Sequence, residues 1–348
     1  MASFNTIENG RPIRVIQTGC GEMAQAWVER TLRSQDLQLV GLVDLRREAA
    51  EKTARRFNLS NRLIFNSLKE ALTAAQPDAV FDATVPASHC AVTLQALKAG
   101  CHVLGEKPLS DNIACAKKMC AAAKKARRLV AVTQNRRFNE HAAAFRAALA
   151  GGLVGDLSSL DADFYLGAHF DGYRLNMPHV LLLDMAIHTF DQARMLSGCD
   201  PLYAYCREFH PKGSWFKGEA GADCIFEMTR GVIFTYRGSW AAEGFGTSWE
   251  SAWRAIGSKG TIVWDGASSP RAQVPASTEG FLREARDVPV PPVPLAHTGH
   301  DGSFDDFFHA LRTGRDPQCI CHDNIKSLAM CFAAIDSAKS GKRVKIQI

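Results

Sequence analysis

Ile13-Arg14-Val15-Ile16-Gln17-Thr18-Gly19-Cys20-Gly21-Glu22-Met23-Ala24 decides the fold. Ile13 to Thr18 is an apolar run of strand length, and Glu22 to Arg33 has the periodicity of a helix. Between them stands G-x-G-x-x-A. The first glycine permits a tight turn, and the second lets the backbone approach a pyrophosphate. The small third residue lets helix and strand pack closely. The N-terminus of the following helix presents free N–H groups to an anion. The loop Gly19, Cys20, Gly21, Glu22 and Met23 therefore reads as a dinucleotide cradle rather than a plain strand-to-helix turn. Asp44, at the end of the next apolar run, is placed to accept hydrogen bonds from an adenosine ribose. Its charge would repel a 2′-phosphate and favours NAD. Arg46 and Arg47 follow at once and offer a site for that phosphate, so NADP stays open.

Outward from this loop the pattern repeats. Leu39–Val43, Ala79–Ala83, His102–Leu104 and Leu129–Thr133 read as strands. Arg46–Phe57, Ser88–Ala99 and Asp111–Ala126 read as helices between them. Such alternation predicts an α/β fold, a parallel sheet with helices on both faces. After Gln134 the rhythm changes. A helix is expected at His141–Leu149, a half-buried strand at Leu157–Phe164 and a long helix from His179 to Leu196. Strand-like runs then follow without intervening helices: Leu202–Phe209, Ala222–Met228, Val232–Trp240, Ser251–Ile256 and Thr261–Trp264. They predict a largely antiparallel sheet. Ser268–Pro294 reads as an irregular loop, followed by helices at Ser303–Arg312 and Asp323–Ser340 and a strand at Val344–Ile348. The expected domains are 1–134 and 135–348, with the C-terminal helix free to pack back on the first.

The composition fits this picture. A chain of 348 residues has room for about two domains, each with its own core. Apolar residues at 46% and charged residues at 22% argue against disorder and coiled coil. The net charge of +5 is dispersed. Its densest stretch, Lys117 to Arg128, has helical spacing with alanines between, the pattern of a solvated face rather than a nucleic-acid footprint. Eleven cysteines argue against a secreted disulfide scaffold. Cys20, Cys101, Cys115, Cys224 and Cys331 read as small buried hydrophobes. Cys319-Ile320-Cys321-His322 lacks a second ligand pair, so no metal site is expected. Met1–Pro12 is polar and has no apolar core of a signal peptide, and Asp184, His188 and Asp191 break the apolar stretch after His179. A cytoplasmic protein without membrane or nucleic-acid partners is the simplest expectation.

Two further patterns carry chemistry. Gly105-Glu106-Lys107-Pro108 closes a strand of the parallel sheet, where ligands bind. A lysine held there stabilises a developing alkoxide; the alternative is a surface ion pair in a tight turn. Proline restricts Lys107 and can fix a cis turn. Asp184, His188 and Asp191 are spaced i, i+4, i+7 and share one face of an otherwise apolar helix. Burying two carboxylates and an imidazole is costly unless they are paired or functional. Histidine is the usual general base near neutral pH, and a carboxylate orients it. Asp191 is the weakest of the three and fits a bracing role.

These motifs together resemble the Gfo/Idh/MocA family of NAD(P)-dependent sugar and polyol oxidoreductases. The resemblance runs from Ile13 to Ile348. It rests on the glycine loop, on Thr84-Val85-Pro86 with His89, and on Ala99–Pro108 ending in Glu106-Lys107-Pro108. Asn135-Arg136-Arg137-Phe138 and Asp184-Met185-Ala186-Ile187-His188-Thr189-Phe190-Asp191 complete it. It implies an N-terminal Rossmann domain and a C-terminal α/β domain with an open-faced sheet that often builds dimers or tetramers. It further implies that Lys107, Asp184 and His188 surround the substrate carbon, and that Thr84, Pro86, His89, Glu106 and Arg136 lie along the cofactor. This chain departs from the family at His179-Val180-Leu181, where three glycines are usual, at Thr84-Val85-Pro86 in place of Thr-Pro-Asn, and at Ala186 in place of glycine.

The expected chemistry is hydride transfer, with His188 taking the proton of a substrate hydroxyl and Lys107 holding the same oxygen. Tyr173, Arg174, Asn176 and His179 are the expected substrate contacts, with a salt-bridged surface role the alternative for Arg174. Trp240, Trp249 and Trp253 could stack on a sugar ring, although aromatics in strands more often fill cores. Other readings on the same scaffold are a non-catalytic dinucleotide-binding regulator, an NAD-dependent glycosidase using His179 as an extra base, and a dihydrodiol or imine reductase.

Overall fold

The computed structural model describes residues 3–348. The chain divides into two compact units. One comprises residues up to Gln134 with His300–Ile325; the other comprises Asn135–Gly299 with Lys326–Ile348. Residues 300–325 thus leave the 135–348 span expected to form the second domain, because their apolar side chains find their core in the first.

In the first unit, strands β1 (Ile13–Thr18), β2 (Leu37–Val43), β3 (Ile64–Phe65), β4 (Ala79–Asp82), β5 (His102–Gly105) and β6 (Val130–Val132) form a parallel sheet in the order β3-β2-β1-β4-β5-β6. The order reverses between β1 and β4, the topological switch point at which such sheets take ligands. Helices α1 (Glu22–Arg33), α2 (Arg47–Arg56), α3 (Leu68–Ala75), α4 (Pro86–Lys98) and α5 (Ile113–Ala126) connect the strands. β3 and α3 add to the predicted elements: β3 is two residues long, and α3 buries Leu68, Ala71, Leu72 and Ala75 at helical spacing behind the Ser67 cap. Val15, Ile16, Val80 and Phe81 are fully buried, as helix-covered parallel strands require. Phe4 and Ile7, from the polar-looking N-terminus, join the same core. Trp27 meets the edges of Phe81 and Phe304 at ring distances of 5.7 and 4.9 Å. Truncating a core aromatic of this kind costs about 3–5 kcal/mol, which explains why residues 300–325 belong to this unit.

In the second unit, α6 (Glu140–Ala150) precedes β7 (Leu157–Tyr165). The predicted helix from His179 to Leu196 is two pieces: a π-helical turn at Leu181–Ala186, then α7 (Ile187–Ser197). A π turn inserts extra backbone and breaks the i, i+4, i+7 alignment. The strands that follow are β8 (Pro201–Phe209), β9 (Gly221–Met228), β10 (Ile233–Ser239), β11 (Ala252–Gly257), β12 (Gly260–Trp264), β13 (Arg271–Pro275) and β14 (Ala285–Val288). After α8 (Gly299–Thr313) and α9 (Cys321–Ser340), β15 (Val344–Lys345) closes a nine-stranded sheet ordered β14-β13-β12-β11-β7-β10-β9-β8-β15. Its pairs are antiparallel except β7 with β10. β13 and β14 fall inside the stretch predicted as an irregular loop; polar alternation at a sheet edge gives little hydrophobic signal. Along β8–β11 residues alternate. Phe226, Phe234 and Tyr236 point inward onto Phe190 of α7. Tyr205, Ile225, Ile233 and Ile256 lie on the other, open face.

Among the described residues no helix is long and apolar enough to cross a membrane. Lys117, Lys118, Lys124 and Lys125 are exposed on α5, as a solvated face requires. All eleven cysteines are free. Cys20, Cys101, Cys224 and Cys331 are buried, whereas Cys115 is only half-buried, its helix lying at the surface.

Candidate functional site

The first unit builds its site from backbone. Gly19 has φ +78°, and a Cβ there would stand 2.5 Å from the Ala83 carbonyl oxygen at the end of β4. Only glycine fits, because both the conformation and the space exclude a side chain. Gly21 caps α1 without a side-chain hydrogen bond, and nothing lies within 4 Å of where its Cβ would be. The first N–H groups of α1 therefore face open space, as an anion site needs. Glu22 and Met23 are exposed and contribute through these N–H groups. Cys20 is buried beneath the loop, and burial pushes its thiol up to about 12. Its backbone N–H donates to Asp44 Oδ2 at 2.8 Å, and Arg46 N–H donates to Asp44 Oδ1 at 2.8 Å. Asp44 is thereby clamped at the end of β2, beside the loop. Arg47 spends its guanidinium on Glu51 and Asn66, while Arg46 is exposed.

β1, β4 and β5 run parallel, so their carboxyl ends share one edge. Thr84, just past β4, donates from N–H and Oγ1 to Asp82 Oδ1. Pro86 opens α4. His89 is buried, with Nδ1 2.8 Å from the Pro108 carbonyl and Nε2 3.1 Å from the Thr84 carbonyl. The ring lies between these two turns, and its neutral form donates to one of the two carbonyls. Lys107–Pro108 is a cis peptide. Glu106 is buried, and its N–H donates to the Asp82 carbonyl at 2.8 Å. Glu106 Oε2 accepts from the Lys107 N–H at 3.1 Å. Among the described residues Glu106 Oε1 and Asp82 Oδ2 have no hydrogen-bond partner, although His300 Nε2 lies 3.8 Å from Glu106 Oε1, and both acids line a cavity of about 10 Å³.

The second unit builds its site from side chains. Asp184, on the π-helical turn, is buried and accepts from Arg174 Nε. The Arg174 guanidinium lies over Phe170 and Tyr173, at 5.2 and 4.9 Å from the ring centres. Tyr173 and Asn176 are exposed, and His188 is half-buried. Asp191 takes two hydrogen bonds from Arg137, at 2.6 and 2.8 Å, and a third from Ser327 at 2.6 Å. The expected polar stripe therefore divides: Asp184 pairs with Arg174, and Asp191 braces α7 against Arg137. Arg136, implied to lie along the cofactor, has its guanidinium buried against Met185 (3.5 Å) and Glu250 (3.9 Å). Burial pulls Arg136 down to about 10 and pushes the Glu250 carboxyl up. Gln192 donates to Glu250 as well. Glu250 and Glu208, which pairs with His179, carry no sequence signal, since each is a single acid with no partner at a telling spacing. Trp240 and Trp253 are buried, stacked on Phe216 and Phe234, while Trp249 is half exposed. Only Trp249 among the three is open to a sugar ring.

Residues 13–134 match the family described as "Oxidoreductase family, NAD-binding Rossmann fold", and residues 142–263 match the "GFO/IDH/MocA C-terminal domain". The chain is 26% identical to 1,5-anhydro-D-fructose reductase of Ensifer adhaerens, covering 94% of this chain and 97% of that protein. It is 25% identical to inositol 2-dehydrogenase 4 of Saccharopolyspora erythraea, covering 98% and 97%. Among solved structures, aldose-aldose oxidoreductase from Caulobacter crescentus superposes with a TM-score of 0.80 at 21% identity, covering 96% of this chain and 100% of that one. The WlbA dehydrogenase from Bordetella pertussis, in complex with NADH and UDP-GlcNAcA, also gives 0.80, at 19% identity and 97% and 100% coverage. At these identities the structures establish the shared fold.

Proposed function

Since this chain belongs to the Gfo/Idh/MocA oxidoreductase family and carries its NAD-binding Rossmann fold, we propose that it is an NAD(P)-dependent dehydrogenase or reductase acting on a secondary hydroxyl of a sugar, polyol or glycoside. One observation carries the reading. The uncapped α1 N-terminus opens at Gly21 beside the clamped Asp44, at the sheet edge that also holds Glu106 and Lys107. The names of the two enzyme relatives, an anhydrofructose reductase and an inositol dehydrogenase, support a polyhydroxylated substrate.

The nicotinamide, when bound, supplies or accepts the hydride. The N–H groups of Gly21, Glu22 and Met23 hold the pyrophosphate. Asp44 accepts from the adenosine ribose, which favours NAD; Arg46 is the residue that would admit NADP. Glu106 orients Lys107, whose ammonium donates to the reacting oxygen. His188 takes or returns the hydroxyl proton, and Asp184, tethered to Arg174, orients His188 or a neighbouring hydroxyl. Tyr173, Arg174 and Asn176 contact the substrate. Acid–base help of this kind is worth about 10²–10⁴-fold. The test is a panel of polyols, aldoses, glycosides and keto sugars with NAD(H) and NADP(H), read by reduced-cofactor absorbance. Turnover should fall at least a hundredfold in Lys107→Ala and in His188→Ala while NAD still binds. Near-normal turnover in both variants would remove the assignment.

The open face of the nine-stranded sheet, with Tyr205, Ile225, Ile233 and Ile256 exposed among Asp163, Arg207 and Arg254, is assigned to a homodimer or homotetramer. Light scattering on the purified chain reads this directly, and a monomer at micromolar concentration would refute it.

A further inference from the structure

His179 stands five residues before Asp184, where the family usually has glycine, and its backbone is left-handed at φ +51°. Its Nδ1 lies 2.7 Å from Glu208 Oε2, at the end of β8, and 3.8 Å from Glu219 Oε2, just before β9. The three residues each offer one donor atom, all within 4.8 Å of one another. The two distances from His179 bracket the separation of about 3.4 Å that bonds of about 2.1 Å give neighbouring ligands of a tetrahedron. The charges also call for a cation. One imidazole nitrogen faces two carboxylates and can give a proton to only one of them.

A second observation points to a ligand. The Glu208 side chain is only 5% exposed, and its other oxygen, Oε1, is buried with no hydrogen-bond partner. Leaving a buried carboxylate oxygen unmatched is expensive. The Glu219 side chain, at 45% exposed, leaves the cluster accessible to solvent. The 210–219 segment is held close: a Cβ on Gly218 would stand 2.3 Å from the Met177 carbonyl, and Lys217 N–H donates to the Leu175 carbonyl at 2.8 Å. The backbone that carries Glu219 is therefore held close to that of His179.

We propose that His179, Glu208 and Glu219 bind a divalent cation of the zinc or manganese class. The imidazole favours zinc over calcium and magnesium, whose preference is for oxygen donors, and the two carboxylates also admit manganese. Three protein ligands leave at least one position for water or a ligand oxygen. The site does not depend on the hydride-transfer reading, so the two can fail separately.

The full chain, stripped with chelator, is titrated with Mn²⁺ and followed by electron paramagnetic resonance. Mn²⁺ is the probe because thiolates bind it poorly and the chain has eleven free cysteines. One equivalent should bind per chain. Glu208→Gln and Glu219→Gln should each weaken binding at least tenfold, with circular dichroism of the metal-free protein unchanged. Saturating Mn²⁺ should raise the thermal midpoint of the wild type and raise that of Glu219→Gln by less. Absence of stoichiometric binding at millimolar Mn²⁺, or wild-type binding in both folded variants, overturns the proposal. In that event His179 and Glu208 are an ion pair that fixes the approach to Asp184.

Discussion

The loop at Gly19–Met23 and the cluster around Asp184 are both assigned to substrate or cofactor, yet they are built in opposite ways. The loop offers backbone N–H groups, and its neighbours are a few residues away or on adjacent strands. The cluster offers charged side chains, each held by a side chain on another element: Asp184 by Arg174, Asp191 by Arg137 and Ser327, and Glu250 by Gln192 with Arg136 near by. A backbone site is stable because its groups are satisfied by the strand and helix that create it. A side-chain site is stable only while every buried charge keeps its partner. The first tolerates substitution at any position that does not need glycine; the second tolerates very little.

The largest effect should come from breaking the buried pair in the second unit. Asp191→Ala leaves the Arg137 guanidinium buried without its carboxylate and should cost about 3–5 kcal/mol in urea unfolding. Replacing both residues together with apolar ones should recover most of that loss. If Asp191→Ala were nearly neutral, the contrast drawn between the two regions would collapse. Next comes Gly19→Ala in the first unit. Left-handed strain and the approach to the Ala83 carbonyl should cost about 1–3 kcal/mol and weaken NAD binding at least tenfold by fluorescence titration. An unchanged affinity would mean that the cradle is not what binds the dinucleotide.

A smaller effect is expected from pH. His102, buried in the first unit, accepts the Leu129 N–H on Nδ1 at 2.9 Å, so its neutral form is the one the fold uses. Burial lowers its pKa to about 3. Unfolded histidine takes up a proton below about 6.5. Above that pH the group contributes no pH dependence. As pH falls from about 6.5 toward 3, only the unfolded chain gains the proton, so stability falls. Urea midpoints should decline over this window, and His102→Gln should flatten the decline. An identical slope in that variant would show that other groups set the acid limit. The smallest effect belongs to the surface of α2. Arg47→Ala breaks a largely exposed i, i+4 pair with Glu51 and should change stability by less than about 1 kcal/mol.

Much of the first unit was legible because its signals are local. Strand β1, the loop, α1 and Asp44 lie within 32 residues, from Ile13 to Asp44, and glycine spacing reports backbone conformation directly. β3, at two residues, is too short to carry periodicity, whereas α3 was legible, with Leu68, Ala71, Leu72 and Ala75 at helical spacing behind the Ser67 cap, and went unpredicted. In the second unit the apolar pattern located the helix but not its π turn, since periodicity averages over one inserted residue. β13 and β14 hid in a loop-like stretch because edge strands bury little.

By itself the sequence determined the parallel sheet, the dinucleotide loop, the Glu106–Lys107–Pro108 turn and the identity of the buried polar residues Asp184 and Asp191. Those follow from spacing and from the cost of burying charge. Only the tertiary structure decided which partner each charge has: Arg174 for Asp184, Arg137 for Asp191, Glu208 for His179, and the Met185–Glu250 niche for Arg136. It also decided that residues 300–325 share the first unit's core. The physical reason is common to both. Backbone preferences act between near neighbours, whereas desolvation and charge pairing act through space and are settled only when the strands and helices have packed.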